Sequence, residues 1–247
     1  MRRPMTLSAP MLLVSLLVGV TGCGGVRLLS REQEIQIGTD AAADFEKDHP
    51  VERGTARANL VTQIGQRVSR QAMPPEYPYE YKVCKANEVN AVAFPGGKIY
   101  LWTGLFSEVK EPDQLAWVAS HETAHVARQH VARELEKSLG YEILVGLLTD
   151  KGTTARTIGG VVSQVLTLKY SRSAEQEADR LGMDYAAGAG YDPTACIPVL
   201  QTFQRLGGGG GGTLGEYLST HPSPESRLKD ARQYLGEKHY TGKYLRP

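Results

Sequence analysis

The chain has 247 residues, 28 Lys and Arg against 27 Asp and Glu, a net charge of +1 and 41% hydrophobic residues. That is enough to bury a sizeable core in about one domain, and the near-neutral balance gives nucleic acid nothing to bind. Neither a phosphate-cradling glycine loop nor an interleaved basic and aromatic pattern is present, which excludes those partners further.

Arg2 and Arg3 precede an apolar run, Met11 to Val20, too short to span a bilayer in a mature protein but suited to a signal peptide. Val20-Thr21-Gly22-Cys23 resembles a lipobox, where a bacterial lipoprotein is acylated on cysteine and cut just before it. The expectation is a signal peptide over residues 1–22, lipidation of Cys23 and a lipid-anchored linker over 23–29. Gly24 stands where aspartate would retain a lipoprotein at the inner membrane, so the expected place is the outer membrane, facing the periplasm. Cys84 and Cys196 then remain as an even pair in an oxidising compartment, either bridged or as two buried free thiols.

Helical patterns follow at Ser30 to Lys47, where Ser30 and Gln33 spell a capping box, and at Arg53 to Gln71. The period then changes. Tyr79 to Lys85 alternates as a strand does, and Ala91 to Phe94 and Lys98 to Trp102 read as two more strands across the Pro95-Gly96-Gly97 turn. A peptide held extended can pair with an exposed sheet edge, which supplies main-chain hydrogen bonds whatever its side chains. Asn90, Ala91, Val92 and Ala93, running into Phe94, form the candidate edge, with an ordinary half-buried strand as the alternative.

Glu111, Pro112 and Asp113 mark the start of the next helix, which the apolar positions carry to about Ser138 with Gly140 as its stop. Within it lies His121-Glu122-Thr123-Ala124-His125. Residues four apart share a helix face, so both imidazoles can grip one metal ion with Glu122 beside it, the arrangement of zinc hydrolases. His130 follows His121 by nine residues, about 180° round a continuous helix, and is rejected as a ligand. Arg128 and Val131 occupy the places of the glycine and histidine that the longer metzincin pattern requires.

Tyr141 to Leu148 and Ile158 to Leu168 are apolar but too short to span a membrane, and read as core helices or as a hairpin over the site or against lipid. In Tyr170 to Asp179, Ser173 with Gln176 can open a helix, or a longer helix can continue. Either way Glu175 and Asp179 share a face while Glu177 points away. Glu175 is the candidate third zinc ligand, and Asp179 the acceptor for the spare N–H of a ligating histidine; the alternative is a solvated acidic face. Glu122 then serves as general base. Gly207 to Gly212 reads as a flexible loop, the domain as residues 30–236 and the tail as 237–247.

Four segments, Asn90 to Gly97, His121 to His125, Tyr170 to Asp179 and Ser219 to Pro224, together resemble the gluzincin metallopeptidase family of HtpX and the CAAX prenyl endopeptidase, most of all its bacterial periplasmic lipoprotein branch. The resemblance covers Ser30 to Leu235. It implies an α+β fold, mainly helical, with a small sheet whose edge strand flanks the zinc helix, and one Zn2+ per chain. It places His221 near the active site, either stabilising the oxyanion or binding zinc as an extra ligand that holds the enzyme latent, with Arg227 supporting it. The implied activity is zinc-dependent endopeptidase, acting on misfolded or envelope proteins in quality control and lipid-anchored in the cell envelope. Outer-membrane protein assembly machinery is an implied partner. The alternatives are a chaperone or assembly factor with hydrolysis secondary or absent, which would not need Glu122, and a non-peptide zinc hydrolase.

Overall fold

The computed structural model describes residues 29–73, 77–149, 155–207, 215–221 and 224–245. The expected signal peptide, Cys23, all but the last residue of the expected linker, and residues 208–212 of the glycine run lie outside the described residues. Among the described residues no helix is long and apolar enough to cross a membrane.

Helix α1 (Arg31–Asp48) opens on the expected capping box, with the Ser30 side chain accepting from the Gln33 N–H and Gln33 Oε1 accepting from the Ser30 N–H at 2.7 Å. Helix α2 (Ala56–Ser69) is capped by the Thr55 side chain. Strands β1 (Glu80–Cys84), β2 (Ala91–Phe94) and β3 (Lys98–Trp102) follow at the three segments expected, with β2 and β3 buried along their whole length. The sheet order is β1-β3-β2: β1 runs parallel to β3, and β2 pairs antiparallel with it, Ala91 opposite Leu101 and Phe94 opposite Lys98. β2 is therefore an edge, as expected. Gly38 of α1 meets the turn between β2 and β3, and any Cβ there would fall 1.7 Å from the Pro95 carbonyl oxygen.

After α3 (Leu105–Glu108) comes α4 (Pro112–Ala127), which starts where Glu111, Pro112 and Asp113 indicate. It stops well short of Ser138. Gln129 adopts a left-handed conformation, φ 56, and α5 (His130–Leu139) resumes in a new direction before Gly140, φ 79, ends it. Helices α6 (Tyr141–Thr149) and α7 (Ala155–Thr167) follow, α7 packing on α1 and β2 through buried Val161 and Val165. Helix α8 (Arg172–Gly188) is capped by Ser171, whose hydroxyl accepts from the Ala174 N–H at 3.2 Å, so Ser173 is not the cap. Helices α9 (Cys196–Gly207), α10 (Gly215–Thr220) and α11 (Pro224–Glu237) complete the order.

α2 lies on β1, α4 on β2 and β3, and α8 along α4. Burying Phe45, Ile64 or Leu101 completely contributes about 1.5–3 kcal/mol each. Gly182 lets α8 approach the metal-motif helix, since a Cβ there would lie 3.2 Å from the His121 backbone nitrogen.

The Cys84–Cys196 bridge is not formed. Cys84 sits in the β1–β3 ladder and Cys196 begins α9, both as buried free thiols. Burial, helped by Glu46, pushes the Cys84 thiol up to about 11, and burial also holds Cys196 well above the usual range. Both shifts disfavour the thiolate that disulfide exchange requires.

Candidate metal centre

His121 and His125, one turn apart on α4, turn their Nε2 atoms to within 3.1 Å of each other. Glu175, in the first turn of α8, brings Oε1 to 3.3 Å from His125 Nε2 and Oε2 to 3.7 Å from His121 Nε2. His221, directly after α10, places Nδ1 2.9 Å from Glu175 Oε1 and 3.3 Å from His121 Nε2. These four donors, all buried, lie within 4.8 Å of one another. Ring nitrogens and a carboxylate oxygen are the donor set of a transition-metal site. Three carboxyl groups, Glu122, Glu175 and Asp179, are buried here with one guanidinium, Arg227, so a divalent cation also offsets the excess of acidic groups. The residues fit a bound metal ion.

Asp179 stands one turn after Glu175, with Oδ1 3.0 Å from His121 Nδ1, the place expected of it. Arg227, buried on α11, donates to it twice, from Nε at 2.8 Å and Nη2 at 2.7 Å, and sets Nη1 2.8 Å from Glu175 Oε2. Arg227 thus clamps the two carboxylates, and its support of His221 runs through Glu175, which both approach.

Burial raises the pKa of both carboxyls, yet the charge of Arg227 and its hydrogen bonds bring Asp179 below its ordinary value. At Glu175 burial is likewise outweighed, by His221 and Arg227 together, and the group stays well below the usual range. Burial drives His125 the other way, far below an ordinary histidine, which keeps its ring neutral with a lone pair to give. His221 is raised despite burial, because Glu175 and Glu122 draw positive charge to it.

Glu122 points into the same space. Its Oε1 is buried without a hydrogen-bond partner and lies 3.7 Å from His221 Nε2. The His221 ring stacks on Tyr217 at 4.5 Å, and the Tyr170 N–H donates to Thr220 O at 3.1 Å, which ties the approach to α8 to the end of α10.

Asn90, Ala91, Val92 and Ala93 line a cleft together with Glu122, His221, Tyr170 and, from α7, Val165 and Leu166. The free space is about 10 Å³, roughly that of one water. α7 thus packs in the core through Val161 and Val165, while Val165 and Leu166 also line the cleft beside the site.

Two residues set aside in the sequence, His130 and Glu177, stand behind His125. His130 Nδ1 lies 3.1 Å from His125 Nδ1, and His130 Nε2 lies 3.2 Å from Glu177 Oε2. The signal was the extra histidine five residues after His125; what hid it was the helix break at Gln129, where no glycine or asparagine marks a left-handed residue.

Residues 55–235 match the family model described as Peptidase family M48. The chain is 31% identical over 221 residues to the beta-barrel assembly-enhancing protease of Escherichia coli K12, covering 83% of this chain and 44% of that protein. It is 38% identical over 151 residues to the mitochondrial metalloendopeptidase OMA1 of Arabidopsis thaliana, 60% of this chain and 30% of the relative. With the OMA1 of Saccharomyces cerevisiae it shares 31% over 150 residues, 59% of this chain and 43% of the relative. The chain thus spans less than half the length of each of these relatives. The family resemblance read from the four motifs holds: the chain belongs to peptidase family M48.

Proposed function

We propose that this chain is a zinc-dependent endopeptidase. The observation that carries the proposal is the convergence of His121 Nε2, His125 Nε2 and Glu175 oxygens, with the unpartnered Glu122 Oε1 beside them. His121, His125 and Glu175 would hold Zn2+, the metal that the His-Glu-x-x-His motif and the family imply and that the nitrogen-and-carboxylate donor set suits. Zinc held there would polarise a scissile carbonyl and lower the pKa of water to about 7. Glu122 takes the proton of the attacking water and returns it to the leaving amine as the C–N bond breaks. Asp179 orients the His121 ring, and Arg227 keeps Asp179 and Glu175 charged and in place.

The edge strand β2 is the natural seat for an extended peptide, since its outer edge can take main-chain hydrogen bonds from a substrate. With room for about one water between β2 and α7, a peptide enters only when α7 and the His221 segment shift. His221 Nδ1 already sits among the metal donors, which supports its role as an extra ligand of a latent form over an oxyanion donor in this arrangement. Replacing His221 with alanine separates the two: a gain in peptide cleavage supports latency, and a loss supports catalysis.

The setting we propose is the bacterial envelope, with the metallopeptidase domain of residues 30–236 hung from a lipidated Cys23 by the linker, facing the periplasm from the outer membrane. Misfolded or envelope proteins are the substrates. The likeness to a beta-barrel assembly-enhancing protease supports a link to outer-membrane protein assembly. Proteomics of envelope fractions with the active chain and with Glu122→Gln tests the reading. New protein termini that need Glu122 support it, and rescue of a deletion phenotype by Glu122→Gln favours a chaperone instead.

A further inference from the structure

The break between α4 and α5 has a structural product. On an uninterrupted helix His130 would face about 180° away from His121. Instead Gln129 takes φ 56, ψ 30, a conformation that a residue other than glycine adopts at a cost. Its buried side chain holds it there by donating to Glu34 and, at 3.1 Å, to Tyr77 Oη. The turn swings the His130 ring, 4% exposed, against the back of His125, Nδ1 to Nδ1 at 3.1 Å with the ring planes at 72°. Beyond it stands Glu177, which accepts from Arg128 Nε at 2.6 Å.

We infer that His130 is the positioning residue of His125: a hydrogen-bond acceptor that holds the His125 Nδ1–H and so aims its Nε2 lone pair into the metal site. The inference rests on the metal reading above. Proton placement then follows outward from the site. Ligation uses the Nε2 lone pair of His125, so its proton is on Nδ1; His130 Nδ1 accepts it, and His130 carries its own proton on Nε2, donated to Glu177 Oε2. Glu177 is fixed in turn by Arg128. Asp179 does for His121 directly what Glu177 does for His125 through an intervening ring.

The test is Zn2+ affinity by chelator competition and the Co2+ absorption spectrum of the full chain, wild type against His130→Ala and His130→Asn, with thermal unfolding of the metal-free proteins alongside. Asparagine keeps an acceptor near the Nδ1 position. The expected result is a loss of about 10–100-fold in Zn2+ affinity and an altered Co2+ spectrum for His130→Ala, with most of the affinity restored by His130→Asn. Should His130→Ala not fold, Glu177→Gln carries the test, with a several-fold loss expected. The inference is overturned if His130→Ala, or in its place Glu177→Gln, binds Zn2+ as the wild type does, or if asparagine loses as much as alanine. A wild-type chain that takes up no stoichiometric Zn2+ refutes the metal reading itself, a distinguishable outcome.

Discussion

The two histidines of α4 are backed in different ways. Behind His121 stands Asp179, 3% exposed, gripped at two points by an arginine that is itself buried. Behind His125 the carboxylate is one ring further out, and both Glu177, 37% exposed, and Arg128, 47% exposed, reach water. The same chemistry, a carboxylate fixing a ring, is thus built once in the core and once at the surface. Water weakens ion pairs and repays their loss, so the inner arm should be far more costly to break.

Glu122→Gln marks the upper limit, because Glu122 belongs to neither arm. It should cut peptide turnover about 10²–10⁴-fold while leaving both arms and metal content intact, checked by cleavage assay and metal analysis together. Arg227→Met should destabilise the metal-free protein by about 3–5 kcal/mol in urea unfolding, since it strands two buried carboxylates. Asp179→Asn should weaken Zn2+ binding about 10–100-fold by chelator competition, and Glu177→Gln by less, because solvent can substitute for part of its role. Equal losses would erase the distinction between the arms. Arg128→Ala should change stability by only about 0–1 kcal/mol, the ordinary worth of an exposed pair.

Much of this was legible in the residues. The spacing of His121 and His125 specifies one helix face, the spacing of Glu175 and Asp179 another, and both faces meet in the fold. Ser30 with Gln33, and Pro112 after Glu111, marked helix starts because caps are local chemistry. The edge status of β2 followed from the family resemblance, while the parallel pairing of β1 with β3 had no local signal, since register is decided by tertiary packing. The end of α4 was misread for a similar reason. Gln129 is held left-handed by Glu34 and Tyr77, which are remote in the chain, so extending the helix to Ser138 hid what His130 touches. His130 sits behind His125 rather than among the metal donors because α4 ends at Ala127, not because a continuous helix turns it away. Arg227 was placed near the site, yet its true partners, Asp179 and Glu175, depend on how α11 docks.

The most direct test of the whole account is anomalous diffraction at the zinc edge from crystals of the purified chain. One peak within bonding distance of His121 Nε2, His125 Nε2 and a Glu175 oxygen is the expected result. No peak there, or zinc bound elsewhere with these three side chains turned apart, would contradict it.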